Sequence, residues 1–512
     1  MKLTLSEYRD KVLGCWTGKN IGGVLGAPYE AKRQLNDISF YAQDLSAGPP
    51  PNDDLDLQMV WLMAVEKYGR NVNASILGEY WLSYIVPNWA EYGIGKANLK
   101  AGLVPPLSGY IENQYRNSCG CFIRSELWAC LAPGHPEIAV RYAYEDGIVD
   151  HAGEGVLGEV FCAALESAAF AESDQKTLID IALSYIPADS AVARCVKKAV
   201  TCYESGFDLA KARKEIHNEA PGTFGVIGRS ETNATKEEGF AMGEAGFDAP
   251  ENVAYVIAGW LYGEGDFGDS LCKAVAFGED TDCTAATLGA LLGILKGASN
   301  LPEKWVAPIN DKITTLCIDR TTPMSIPATV TELSDRLMRA TPMFLGAAFC
   351  DVFSKGGYTI ETLPKDKLKY EKEKYIKGHI APPECMETPL DELLTQPTVV
   401  RYPFSTHSVH VDAGEPFFSA DVPKKIRVQV VNPNLFNHPM WCRIKAYAPE
   451  GARLVSNAEY IMPLNVLYGE KAEAVFEVDA AAFTGGKLEI LFDVSIEGRH
   501  TATPVKVVLF RR

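Results

Sequence analysis

The stretch Phe277 to Gly297, FGEDTDCTAATLGALLGILKG, constrains this chain more than any other. It sets two carboxylates, Asp280 and Asp282, at the mouth of a helix built from Thr284, Ala285, Ala286, Leu288, Gly289, Ala290, Leu291, Leu292 and Gly293. A segment that apolar is buried on most sides, and its Gly and Ala positions let neighbouring helices approach closely. Two acids are thereby held at the edge of a packed core, where ionised groups are costly unless something compensates them. A bound cation is the natural compensation.

The chain around this stretch has 512 residues, which implies two to four domains. A formal net charge of -17 argues against a general nucleic-acid binder, because phosphate contacts need a basic surface. An anionic small ligand stays open, since one pocket can differ in sign from the whole surface. The first residues, MKLTLSEYRDK, carry no apolar signal core, and no apolar run is long enough to span a bilayer. The 13 cysteines sit largely in apolar helical patterns, without a C-x-x-C pair; Cys119 and Cys121 form only a C-x-C. This pattern predicts reduced, buried thiols in a cytoplasmic protein with no membrane partner, not a disulfide frame or a zinc site.

Residues from about 5 to 350 repeat apolar positions at three and four, which predicts helices. Expected helices include Asn73–Val86, Phe122–Leu131, Glu137–Glu145, Val156–Phe170, Thr177–Ile186, Ala191–Ser205 and Asn252–Tyr262, with a last group through Ser334–Met338 and Met343–Phe353. Many helices with no parallel-strand set between them define an all-α domain. The glycine-rich segment Gly18 to Glu30 lacks the Gly-Lys-Ser/Thr ending of a phosphate-binding loop. It reads as close helix packing followed by a turn at Ala27-Pro28. Trp81, Trp89, Tyr84 and Tyr92 read as core or cleft wall.

After Gly356 the character changes. A charge-rich run, Asp366 to Lys377, precedes Pro382-Pro383, Pro389 and Pro397. From about Arg401 the period is two: Ile426, Val428, Val430; Ala474, Phe476, Val478; Leu488, Ile490, Phe492, Val494; Val505, Val507, Leu509. Asn432-Pro433-Asn434, Pro449-Glu450-Gly451 and Gly485-Gly486 are turn signals between these runs. The expected architecture is multidomain: an all-α domain over 1–360, a charged and Pro-rich linker over 361–400, and a β-sandwich over 401–512. His407 and His410 stand close together in that last part, which is weak evidence for a metal site.

Asn52-Asp53-Asp54 opens a second apolar helix, with Asn52 also a favoured N-cap and the acids suited to the helix dipole. With Glu30, five carboxylates can converge on one site. Hard divalent cations take carboxylate oxygens, and four aspartates suffice for two such ions.

Gly22-Gly23-Val24-Leu25-Gly26-Ala27-Pro28-Tyr29-Glu30, Asn52-Asp53-Asp54 and Gly278-Glu279-Asp280-Thr281-Asp282-Cys283 resemble, in order and spacing, three signature segments of the ADP-ribosylglycohydrolase family. In that family they usually read Gly-Asp-x-x-Gly-x-x-x-Glu, Thr/Ser-Asp-Asp and Gly-Gly-Asp-Thr-Asp-Thr. Cys119 to Arg124 sits where the family has a Gly-Asn-Gly-x-x-x-Arg-like stretch, and Asp150-His151 where it has a Ser/Thr-His step. The resemblance covers roughly residues 8 to 350. It implies an all-α fold with two Mg²⁺ ions, or Mn²⁺, at a cleft that binds ADP-ribose. Carried over by position, Asn52, Asp53, Asp54, Asp280, Asp282 and Cys283 are the implied metal ligands. Glu30 is the implied acid near the scissile bond, with Asp53 and Asp282 sharing the catalytic work. Cys121, Arg124 and His151 are the implied substrate contacts.

The departures are specific. Gly23 replaces the usual Asp, and Asn52 the usual Thr/Ser. Cys283 stands where the family has a Thr ligand, and a thiol is a poor partner for Mg²⁺. Water or Thr284 fills that position, or its occupancy is reduced. The leading expectation is a metal-dependent hydrolase of an N- or O-glycosidic bond at a ribosyl anomeric carbon, acting on an ADP-ribosyl substrate. The alternatives are a nucleoside or furanoside hydrolase on the same fold and a catalytically weak ligand-binding protein.

Overall fold

The computed structural model describes residues 2–220, 235–237, 240–244, 246–319, 321, 325–371, 388–404, 407–431, 439–465, 471–499 and 502–512. They divide into two compact units: Met1–Leu99 with Ser108–Tyr370, and Lys100–Leu107 with Glu371–Arg512. Pro382-Pro383, Asn432-Pro433-Asn434 and the second half of the Asp366 to Lys377 run lie outside the described residues.

The first unit is helical, and its organising pair is antiparallel: Leu5–Gly26 against Thr281–Lys296. Gly14, Gly18, Gly22 and Gly26 recur every four residues, so they form one stripe on the first helix. They face Gly293, Gly289, Ala285 and Thr281 in turn, and at each glycine a Cβ would collide with the opposing backbone. Backbones approach this closely only where side chains are missing. The close packing expected of the glycine-rich segment is therefore present, and its register has a consequence. It brings the end of the first helix, four residues before Glu30, alongside Thr281 between Asp280 and Asp282.

Most expected helices are present with shifted ends, such as Ala74–Tyr84, Pro136–Gly147, Glu154–Ala168 and Ala249–Tyr262. The segment expected as helix from Phe122 begins instead as a 3-10 helix, Cys119–Arg124, that leads into Ser125–Leu131. The expected Met343–Phe353 helix does not form. Val330–Leu345 stops at Gly346, whose φ of 73° ends the helical path, and Cys350–Asp351 is a strand paired with Thr359–Glu361. No helix among the described residues is long and apolar enough to cross a membrane.

The second unit is built from strands. One five-stranded sheet runs Arg453–Leu454, Lys471–Asp479, Lys424–Val431, Ser408–Asp412, Val399–Pro403. The other runs Glu459–Leu464, Met440–Tyr447, Lys487–Ile496, Ala502–Arg511, Phe417–Phe418, with only its last pair parallel. The period-two residues point inward: Ile426, Val428, Val430, Phe476, Val478, Ile490, Phe492 and Val505 form one shared core between the sheets. His407 and His410 meet different partners, Thr503 and Ser408, and belong to no metal-capable group among the described residues.

Candidate active site

Two helix N-termini and one turn carry the acids. Asn52 is the N-cap of Asp53–Tyr68, its Oδ1 accepting the Asp54 N–H at 2.7 Å. Its amide nitrogen donates to Asp282 Oδ2 at 3.4 Å, so this side chain links the two acid pairs. Asp280 precedes Thr281–Lys296 without capping it, which leaves its carboxylate for other work, while its N–H donates to Asn252 Oδ1 at 3.1 Å.

The turn before Asp280 is held in an unusual shape. Glu279 has a φ of 65°, where a side chain is strained, at the position of the second glycine in the usual family motif. Its carboxylate offsets that strain by accepting from Arg33 Nε at 2.8 Å, Arg213 Nη2 at 3.2 Å and the Gly246 N–H at 2.8 Å. Its backbone pairs with Ala31 and Lys32. Glu30, one residue before Ala31, is thus strapped beside Asp280 and Asp282.

The result is a contiguous set of donor atoms. Glu30, Asp280 and Asp282 place one carboxylate oxygen each within 4.8 Å of one another. Asp54, Asp282 and Cys283 do the same, and so do Cys119, Asp280 and Cys283. Asp53 joins none of these close groups; its Oδ2 accepts from the Tyr92 hydroxyl at 3.2 Å. Asp54, Asp280 and Asp282 are 2%, 3% and 6% exposed, and each keeps one buried oxygen, Oδ2, Oδ1 and Oδ1 respectively, with no hydrogen-bond partner.

Crowding shows in the protonation energetics. Burial, then Glu30 and Asp280, hold the Asp282 carboxyl well above the ordinary range. Burial likewise raises Asp54, against the pull of the Lys19 ammonium, and raises Asp53. Glu30 is an exposed residue, yet desolvation of its carboxyl, with Asp280 and Asp53 nearby, pushes it up to about 8. Acids this close and this dry do not all ionise without a positive charge among them. Together with three orphaned carboxylate oxygens, that fits a cation-binding centre. Asn52 takes part as a linker and cap. Thr284 gives its hydroxyl hydrogen to the Thr281 carbonyl at 3.2 Å.

The three expected substrate contacts lie in a buried polar lattice. Arg124 is fully buried, paired with Asp146 at 3.1 Å and Asp150 at 2.8 Å, and lies over Trp81. His151 Nε2 shares a hydrogen bond with Ser118 Oγ at 2.8 Å, and Cys121 donates to Glu159 at 2.7 Å. The neighbour that reaches the acids is Cys119, whose Sγ donates to Asp280 Oδ2 at 2.6 Å. Sequence reasoning singled out this segment but passed over Cys119. It also passed over Lys19, which pairs with Glu126 at 2.7 Å in the core, and Asn252, which holds the Asp280 backbone. A lysine inside the glycine stripe was the available signal for the first.

A predominantly helical domain with an acidic centre where converging helices begin is the class of protein that this geometry defines. A family model for ADP-ribosylglycohydrolase matches residues 4–345, and the chain belongs to that family of glycosidic-bond hydrolases. A solved structure described as "ADP-ribosylglycohydrolase-related protein complex" is similar at 16% identity over 66% of this chain and 100% of that one, with a TM-score of 0.41. No curated protein matches the chain.

Proposed function

We propose that the chain is a divalent-cation-dependent hydrolase of an N- or O-glycosidic bond at a ribosyl anomeric carbon, with an ADP-ribosyl group as substrate. The observation that carries this reading is that Asp282 lies in one close group with Asp54, from a chain-distant helix start, and in another with Asp280 and Glu30, while Asp54, Asp280 and Asp282 each keep a buried, unpartnered oxygen. These three, with Glu30 at the rim, are the residues to hold the metal, for which two Mg²⁺ or Mn²⁺ ions are the family expectation. A bound divalent cation supplies positive charge and a water of lowered pKa.

The protein side chains do the rest. Glu30 is the exposed carboxyl of the set, and it exchanges a proton with the leaving-group oxygen or nitrogen, or with the attacking water. Tyr92 fixes Asp53 from behind, and Asn52 fixes Asp282, so that neither carboxylate swings away as charge develops at the sugar.

The test is a turnover screen of the full chain with added Mg²⁺ or Mn²⁺ over ADP-ribosylated protein, O-acetyl-ADP-ribose, nucleosides and simple furanosides, with Asp282→Asn as control. Cleavage of an ADP-ribosyl bond that Asp282→Asn abolishes is the expected result. A second reading, a nucleoside or furanoside hydrolase, draws on Arg124 and His151 being engaged inside the protein, away from a pyrophosphate. Turnover of a plain riboside alone decides for it. Metal binding without turnover of any glycoside leaves a ligand-binding protein.

A further inference from the structure

We infer that the inner end of this centre is a mixed thiolate–carboxylate site, formed by Cys119, Cys283 and Asp280, that takes a thiophilic divalent cation of the zinc class in preference to Mg²⁺. The inference rests on the metal-dependent reading above and departs from it in the nature of the ion. It also departs from the expectation of inert buried thiols. That expectation looked for cysteines close in sequence, whereas these two come from distant segments joined only by the fold.

The geometry is specific. Cys119 opens the Cys119–Arg124 3-10 helix, and Cys283 lies in the first turn of Thr281–Lys296, directly after the acid pair. Their sulfurs and one Asp280 oxygen all lie within 4.8 Å of one another. A tetrahedral zinc with Zn–S of about 2.3 Å and Zn–O of about 2.0 Å spaces its donors about 3.5 to 3.8 Å apart. The donors are close enough for that spacing once the 2.6 Å Cys119–Asp280 hydrogen bond opens by about 0.9 Å on loss of the thiol proton.

Each thiol also points at a carboxylate: Cys119 Sγ at Asp280 Oδ2, 2.6 Å, and Cys283 Sγ at Asp54 Oδ1, 3.5 Å. The two sulfurs lie within 4.8 Å of each other. Independently of the sulfurs, Asp280 Oδ1 and Asp54 Oδ2 are buried without partners. Two thiols beside carboxylates that each keep an unpartnered oxygen form a donor set of mixed soft and hard atoms. On binding, both thiol protons leave to solvent and the sulfurs become ligands.

Ligand chemistry decides the ion. Mg²⁺ requires oxygen donors in near-octahedral array, and two thiolates of three donors exclude it here; zinc accepts both atom types. Three protein ligands leave the fourth position to Asp54 or to water, the open pattern of a catalytic zinc. The all-oxygen group of Glu30, Asp280 and Asp282 keeps its hard character, with Asp280 common to both.

The test uses the full chain stripped of metal with a chelator and titrated with Co²⁺ under reducing conditions. A thiolate-to-cobalt charge-transfer band in the near ultraviolet is expected to saturate at one equivalent. Zn²⁺ should abolish it stoichiometrically, and a large excess of Mg²⁺ should not. Cys119→Ser and Cys283→Ser, each verified as folded by circular dichroism, should lose the band and weaken Zn²⁺ binding by at least about a hundredfold, beyond the 10–100-fold typical of outer-shell changes. Cobalt binding without the band, displacement by Mg²⁺ as readily as by Zn²⁺, or wild-type zinc affinity in both variants overturns the inference. Those outcomes leave an oxygen-ligated hydrolase standing. If no divalent cation binds and Asp282→Asn changes nothing, the hydrolase reading falls with it.

Discussion

Replacing Gly22 by Ala tests the contact that assembles the site, because two effects of known size oppose each other. Within a helix, Ala is favoured over Gly by about 1 kcal/mol, so local propensity alone raises stability. In the fold, a Cβ on Gly22 would lie 2.0 Å from the Ala285 carbonyl oxygen and 2.6 Å from the Ala286 nitrogen. That is about 1.5 Å short of an ordinary contact near 3.5 Å. The neighbours are helix backbone, which cannot rotate aside, and Gly18 and Gly26 make equally close approaches one turn either way. Overpacking costs typically 1–3 kcal/mol, and this position belongs at the upper end. The net expectation is a loss of about 2 kcal/mol, read by scanning calorimetry as a fall of roughly 2–4 °C in the transition of the helical unit. Because the pried-apart helices also separate Glu30 from Asp280, kcat/KM should fall further than stability explains, up to roughly a hundredfold for a 1 Å displacement. A Gly22→Ala protein with a raised melting temperature would refute the close approach.

Three further outcomes are expected. Glu30→Gln, which removes a carboxyl pushed up to about 8, should raise the melting temperature and lower turnover by roughly 10²–10⁴; activity within a few-fold of wild type excludes the proton-transfer role. Lys19→Met strands the Glu126 carboxylate beside it in the core and should cost about 3–5 kcal/mol, most of it recovered in Lys19→Met with Glu126→Gln; additive losses in a urea-denaturation cycle would show the pair to be uncoupled. Burial, with Arg401 and Lys471 nearby, pushes His410 down to about 3, so the fold favours its neutral form. Stability from this group is complete above its unfolded value near 6.5 and is lost as pH falls from there toward 3, by roughly 1.4 kcal/mol per unit. Urea midpoints of wild type and His410→Gln measured between pH 7 and pH 5 should converge with a difference of about 2 kcal/mol; parallel curves would assign the slope elsewhere.

Periodicity made the helical body, the strand-rich end and the acids at helix starts legible, because each depends on local spacing. Asp280, Asp282 and Asp54 were placed together by their shared position ahead of apolar helices. Cys119 and Cys121 show where such reasoning stops. Both lie in the segment that was singled out, but the tight turn of Cys119–Arg124 sends the first sulfur to Asp280 and the second to Glu159. Arg124 was equally open to an internal salt bridge or an anionic ligand, because nothing local reveals Asp146 and Asp150, which pair with it from another helix end. The Met343–Phe353 segment has helical apolar spacing, and one glycine at positive φ outweighs it.

The glycine stripe and the acid centre are two halves of one energetic arrangement. Bringing Glu30, Asp54, Asp280 and Asp282 together costs stability, as the raised carboxyl groups of Glu30, Asp54 and Asp282 attest. The Lys19 charge and the hydrogen bonds from Asn52, Cys119 and Cys283 offset only part of that cost, since one oxygen each of Asp54, Asp280 and Asp282 has no partner. The rest of the compensation comes from either side of the centre. One part is the dispersion gained where two backbones touch along Gly14 to Gly26, and the other is the clamp of Arg33 and Arg213 on Glu279. A cation of the kind proposed, binding only the folded chain, would return part of the strain, about 4 kcal/mol at a thousandfold excess over its dissociation constant. The scaffold therefore holds the acids in place by itself, so on the proposed reading the binding energy of a cation would go into selecting the ion, not into building the site.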